Sequence, residues 1–120
     1  RETAIQLSKT PLEAFALELK AWVNDNLDGM AAFTAPQLQV LCERWGHDSR
    51  AKAQYIRKAL QPQGTIEPSR LIKVHSKPMR FTTFITPEAT QKGFIEPTWS
   101  HVVTNTENAL QRELEQNGSF

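Results

Sequence analysis

The chain has 120 residues, 39% apolar and 22% charged, which fits one folded domain with a buried core rather than a disordered segment. No apolar run approaches the roughly 18 residues needed to cross a bilayer, and Glu2, Gln6 and Lys9 interrupt any secretory leader. Cys42 is the only cysteine, so an internal disulfide is excluded, a cysteine-based zinc site is disfavoured, and a reducing, cytoplasmic setting is expected.

Net charge is only +1, but the charges are segregated. Residues 1–43 carry three bases against six acids, and residues 81–120 carry two against five. Between them stand nine bases (Arg44, Arg50, Lys52, Arg57, Lys58, Arg70, Lys73, Lys77 and Arg80) against Asp48 and Glu67, a surplus of seven. A basic middle between acidic flanks is what a surface facing a polyanion requires.

The first predicted element is a helix from Pro11 to Leu27. Thr10 is its N-cap, Pro11 takes the first helical position, and Glu13 completes a capping box. Leu12, Phe15, Ala16, Leu19, Trp22, Val23 and Leu27 recur at three- and four-residue spacing, and Gly29 stops the helix. A second, three-turn helix starts at Thr34, with Gln37 completing its box and Phe33 stapled to Leu38. Leu38, Leu41, Cys42 and Trp45 form its inner stripe, and Gly46 ends it. Asp48 or Ser49 is then expected to cap a third helix running to about Gln61, stopped by Pro62 and Gly64. Its inner face is Ala53, Ile56 and Leu60. Arg50, Gln54, Arg57 and Gln61 share one outward stripe, with Lys58 beside it.

Beyond Pro62 the period changes. Thr65-Ile66 reads as a short strand. Arg70 to His75 and Met79 to Ile85 read as a hairpin turning at Ser76-Lys77-Pro78, with Lys73, His75, Lys77 and Arg80 near its tip. Thr86-Pro87-Glu88 opens a short helix that Gly93 closes, and Phe94, Ile95 and Trp99 are expected on the core. From Pro97 the chain is helical again, as one helix or, given the Thr104/Glu107 box, two.

This order of helix, helix, tight turn, helix and basic-tipped hairpin resembles the winged helix-turn-helix family of DNA-binding domains. The resemblance covers roughly Pro11 to Ile85. It rests on the segment from Phe33 through Trp45-Gly46, followed by Ser49-Arg50-Ala51-Lys52-Ala53-Gln54-Tyr55-Ile56-Arg57-Lys58-Ala59-Leu60. It implies an α+β, mostly helical fold: three helices plus a β-hairpin wing, with a C-terminal helical extension. The chain would be one domain over residues 1–120, its core at about 10–86 and the extension at about 87–118. The stretch from Ser49 to Gln61 would be the recognition helix and Arg70 to Ile85 the wing. The implied function is sequence-specific binding of double-stranded DNA, as a transcription regulator or a replication-initiation domain. Ser49, Arg50, Lys52, Gln54, Arg57, Lys58, Gln61, Arg70, Lys73, His75, Lys77 and Arg80 would make the contacts.

Chemistry supports these roles. Arg pairs in two-toothed fashion with guanine and Gln with adenine in the major groove, while Lys52, Lys58, Arg70 and Lys73 suit phosphates. Lys77 and Arg80 suit a minor groove or the adjacent backbone. The alternative is a protein-docking winged helix in a nucleic-acid-processing complex. Single-stranded nucleic acid stacked on Phe81, Phe84 and Tyr55 is a third reading, weakened because Phe81 and Phe84 have opposite strand parity. No catalytic function, cofactor or metal is expected. The three histidines at 47, 75 and 101 sit in different elements, and neither an H-E-x-x-H nor a G-x-S-x-G pattern occurs. Leu110 and Leu114 on the last helix are candidates for a homodimer contact or for joining a larger parent chain. Covering the core is the competing use.

Overall fold

The computed structural model describes residues 10–47, 50–93 and 96–118, so the expected cap at Asp48 or Ser49 and the packing of Phe94 and Ile95 lie outside the described residues. Helix α1 spans Pro11–Leu27, and Thr10 and Glu13 close the expected box with bonds of 3.2 and 2.9 Å. Such a cap contributes about 1 kcal/mol. Phe15, Ala16, Leu19 and Val23 are fully buried. The helix ends through left-handed Asp28 and Gly29, at φ 54° and 88°. Gly29 also sits where a Cβ would lie 2.6 Å from the side chains of Ala89 and Thr86, so only glycine fits.

The chain then forms a strand that the sequence reading lacks: β1, Met30–Phe33. Helix α2 follows at Ala35–Arg44 with the complete Thr34/Gln37 box, and Phe33 and Leu38 are both buried in one cluster.

Helix α3 spans only Ala53–Leu60, capped at Lys52 without a side-chain bond, and a 3-10 turn follows at Gln61–Gln63. The expected longer helix is thus corrected: Arg50 precedes it and Gln61 follows it. The reason lies in Ala51 and Ala53, which are both buried. Two positions apart on a helix, they would point about 200° apart, so the backbone at 51–52 must be extended to bury both. Lys52 is extended accordingly, and the Ala51 carbonyl accepts from Gln39 Nε2 at 3.5 Å.

Strands β2 (Thr65–Val74) and β3 (Lys77–Ile85) form an antiparallel hairpin, and the sheet order is β1-β3-β2. Thr65-Ile66 belongs to β2 instead of forming its own strand. Its register shifts by one residue between Glu67 and Arg70, a bulge that absorbs Pro68 on an edge strand. The turn is His75-Ser76, one residue earlier than expected, with both residues at positive φ (52° and 67°). That is the two-residue geometry whose twist matches paired strands. Val74 and Lys77 close it, so at the next pair, Lys73–Pro78, the position that lacks an N–H faces away from β2.

Both faces of the sheet are covered. Ala31, Phe33 and Phe84 point into the cluster built by α1, α2 and α3. Ala32, Ile72 and Phe81 point the other way, onto Val102 and Val103. Those valines belong to α5, Trp99–Gly118, one continuous helix. Thr104 does not start a second one: its hydroxyl donates back to the Ser100 carbonyl at 3.2 Å. Short α4 (Pro87–Gln91), capped by Thr86, connects the sheet to this layer. The α+β class expected from the sequence holds, with five helices and a three-stranded antiparallel sheet among the described residues.

Two contacts fasten α5. Thr106, fully buried, accepts from the Ala32 amide at 3.2 Å and so caps the free edge of β1. Glu113 accepts from both Trp22 Nε1 and Trp45 Nε1, each at 3.1 Å, while the two indoles pack edge-on at 6.1 Å. Leu110 is 5% exposed and belongs to the main core, so its side chain covers the interior of this domain. Leu114 is half-buried.

Candidate nucleic-acid interface

Helix α3 is amphipathic along its whole length. Ala53, Ile56 and Leu60 are buried, Gln54 and Lys58 are exposed, Arg57 is half-buried, and exposed Gln61 caps the C-terminal end. These four polar residues fall within about 100° of the helix circumference. Lys52 is exposed at the helix entrance. Arg50, also exposed, is near them in sequence but stands in a turn, so the expected stripe of four loses its first member. Ser49 lies outside the described residues.

The hairpin supplies the second group. Side chains alternate along a strand, and directly paired residues share a face. Phe84 faces the cluster built with α1, α2 and α3. By parity, so do Arg80 and Pro78, along with their cross-strand partners Leu71 and Lys73. Phe81 faces α5, as do Met79 and Lys77. Thus Lys73 and Arg80 stand on the α3 side of the sheet, while Lys77 stands on the other side, next to the turn. His75 occupies the turn itself.

β1 pairs only with residues 82–85 of β3. The five pairs from Arg70–Phe81 to Val74–Lys77 therefore project beyond the third strand, by about 16 Å at the usual rise. Trp99, Val102 and Val103 of α5 cluster with Ile72, Val74 and Phe81 and so back one face of this projection.

Partners separate the basic residues into two sets. Arg70 is engaged within the domain. Its guanidinium bonds Glu67 at 2.8 Å and Thr83 Oγ1 at 3.4 Å, and it stacks 4.7 Å over the Trp99 ring. Arg80 donates to the Ser69 carbonyl at 3.3 Å but remains exposed. Among the described residues, no acid lies within ion-pair reach of Lys52, Arg57, Lys58, Lys73 or Lys77. Lys20, on the acidic N-terminal third, instead has Glu88 at 3.4 Å.

Parity also exposes a residue that sequence reasoning passed over. Leu71 is 57% exposed between Lys73 and Arg80, on the α3 side of the hairpin. Its place two residues before Lys73 was the available signal.

The histidines do not converge. His47 Nε2 lies 2.7 Å from Glu18 Oε1 and its ring packs on Phe15 at 5.6 Å, which ties the α2–α3 connection to α1. His75 is in the hairpin turn and His101 is exposed on α5. No group of three or more His, Cys, Asp or Glu side chains with metal-holding geometry occurs among the described residues. Phe81 and Phe84 are both buried, at 4% and 0% exposure, because the sheet is covered on both faces. Neither offers a ring for base stacking; Tyr55, 52% exposed, does. No helix among the described residues is long and apolar enough to cross a membrane. No protein-family model matches the chain, and neither does any curated protein or solved structure.

Proposed function

We propose that the chain is a winged-helix domain that binds double-stranded DNA, acting as a transcription regulator or as the DNA-binding part of a replication initiator. The observation that carries this reading is the set of bases on α3 and the projecting hairpin with no acid in ion-pair reach among the described residues, against acidic flanks elsewhere. Element order supports it: helix, strand, helix, helix and hairpin, with the first strand pairing next to the last, is compatible with a winged helix.

In this reading α3 enters the major groove, about 12 Å wide and matched to a helix of similar diameter. Gln54, Arg57 and Gln61 read base edges. Lys52 and Lys58 neutralise phosphates on either side. Lys73 and Arg80 follow the flanking backbone from the hairpin, and Lys77 and His75 meet it at the tip. Arg70 serves the domain itself by clamping the hairpin to Trp99.

Position-resolved binding tests this. Gln54→Ala should weaken a site selected from random duplexes by about 1–3 kcal/mol while sparing non-specific DNA. Lys73→Ala should weaken both equally. If the two substitutions act alike on selected and random duplexes, α3 is not the reading element.

A further inference from the structure

The projecting hairpin carries two large apolar side chains that its bases do not account for, Leu71 and Met79, 57% and 45% exposed. Neither belongs to a core cluster, so the packed interior does not use their surface. A solvent-facing position on an edge strand is ordinarily polar or charged, because an apolar group there invites association. The two stand on opposite faces. Met79 pairs with Ile72 on the α5 side, whereas Leu71 pairs with Arg80 on the α3 side, with Lys73 two residues on.

Charge distinguishes the α3-side face. On the projection it consists of Leu71, Lys73, Pro78 and Arg80, with no acid among them. Directly paired Cβ atoms lie about 5 Å apart and same-face neighbours along a strand about 7 Å, so one aliphatic side chain stands between two cations. Arg80 donates to the neutral Ser69 carbonyl, which leaves its charge uncompensated. No acid lies within ion-pair reach of Lys73 or Arg80 among the described residues. A leucine has no flat ring to stack on an unpaired base, but it can pry apart two stacked base pairs from the minor groove. The cations on either side of it suit the phosphates that flank such a step. A two-fold pairing of copies through this face would instead set Lys73 and Arg80 against themselves.

We propose that Leu71 is a wedge that enters the minor groove next to the major groove occupied by α3, parts one base-pair step and kinks the duplex, while Lys73 and Arg80 hold the phosphates beside it. This rests on the reading of the domain as a binder of double-stranded DNA and adds bending to it. Pyrimidine–purine steps such as TA and CA/TG unstack most readily. The domain therefore selects such a step at a fixed distance from the bases that α3 reads, without a hydrogen bond to it.

The test uses the full chain and a duplex selected from a random pool, with a donor dye at one end and an acceptor at the other. Energy transfer at saturation should report a kink of about 20° or more. Leu71→Ala should still bind random duplex at low salt yet leave the selected duplex near straight, and Leu71→Met, which keeps an apolar wedge, should restore the kink. Met79→Ala, a truncation on the opposite face, should retain it in full. Replacing the flexible step by GC should weaken the parent about fivefold or more, and Leu71→Ala much less. Circular dichroism and the melting midpoint check that the variants remain folded. A duplex that is bound but left straight by the parent, kinked equally by Leu71→Ala, or straightened by Met79→Ala overturns the wedge and leaves duplex binding standing. Failure to bind any duplex at low salt overturns both. A DNA-free dimer dissolved by Leu71→Ala would assign the face to a second copy and overturn the wedge too.

Discussion

Helices α3 and α5 flank the same sheet and use their polar residues in opposite ways. On α5, Glu113 receives two indole N–H groups, Thr106 caps a strand edge, and Leu110 completes the core. On α3, Gln54 and Lys58 point to solvent, and no acid is within ion-pair reach of Arg57 or Lys58 among the described residues. The polar side chains of α5 thus help hold the fold together, while those on the outward face of α3 contribute little to it. A surface that bears uncompensated charge without a structural role is available to an external anion.

The largest effect that sharpens this contrast is expected at Leu110. Leu110→Ala should cost about 2–5 kcal/mol, read as a lowered denaturant midpoint, because a fully packed side chain leaves a cavity. A neutral result would mean that α5 is only loosely applied to the sheet. At Glu113, Glu113→Ala strands two indole donors, and a loss of about 1–3 kcal/mol is expected, with altered tryptophan emission. Unchanged stability and emission would break the claim that this carboxylate holds the layer.

The other side of the comparison predicts little change in folding. Lys58→Ala and Lys73→Ala should each stay within about 0.5 kcal/mol of the parent by chemical denaturation. A clear loss at either would show that these lysines serve the fold after all.

The smallest effect concerns Glu88. Backbone hydrogen bonding at the α4 N-terminus, then Asn24 and Lys20, hold its carboxyl below the usual carboxylate range. A lowered folded-state value means its contribution is present above the unfolded pKa and lost as pH falls through the folded one. The melting difference between the parent and Glu88→Gln should accordingly fade on acidification. A difference that grows in acid would reverse the sign.

Much of the helical framework was legible in the sequence because caps are local chemistry. Thr10/Glu13 and Thr34/Gln37 close within four residues, and both structures start where those boxes fall. β1 was hidden because Met30-Ala31-Ala32-Phe33 has little β preference of its own. Pairing with residues 82–85 and burial on both faces make it a strand. The start of α3 was misjudged for a similar reason, since the burial of Ala51 beside Ala53 is set by tertiary packing. Charge segregation marked the basic face, but only the register separates Lys73 and Arg80 from Lys77, and only contacts withdraw Arg70.

The most direct test of the basic face is the salt dependence of binding to a random duplex. Each neutralised phosphate contributes about 0.9 to the slope of log affinity against log salt. With Lys52, Lys58, Lys73, Lys77 and Arg80 engaged, the slope should be about −4 to −5, and Lys73→Ala should reduce its magnitude by about 0.9. A slope near zero, or no binding at low salt, would contradict the assignment of this face to DNA.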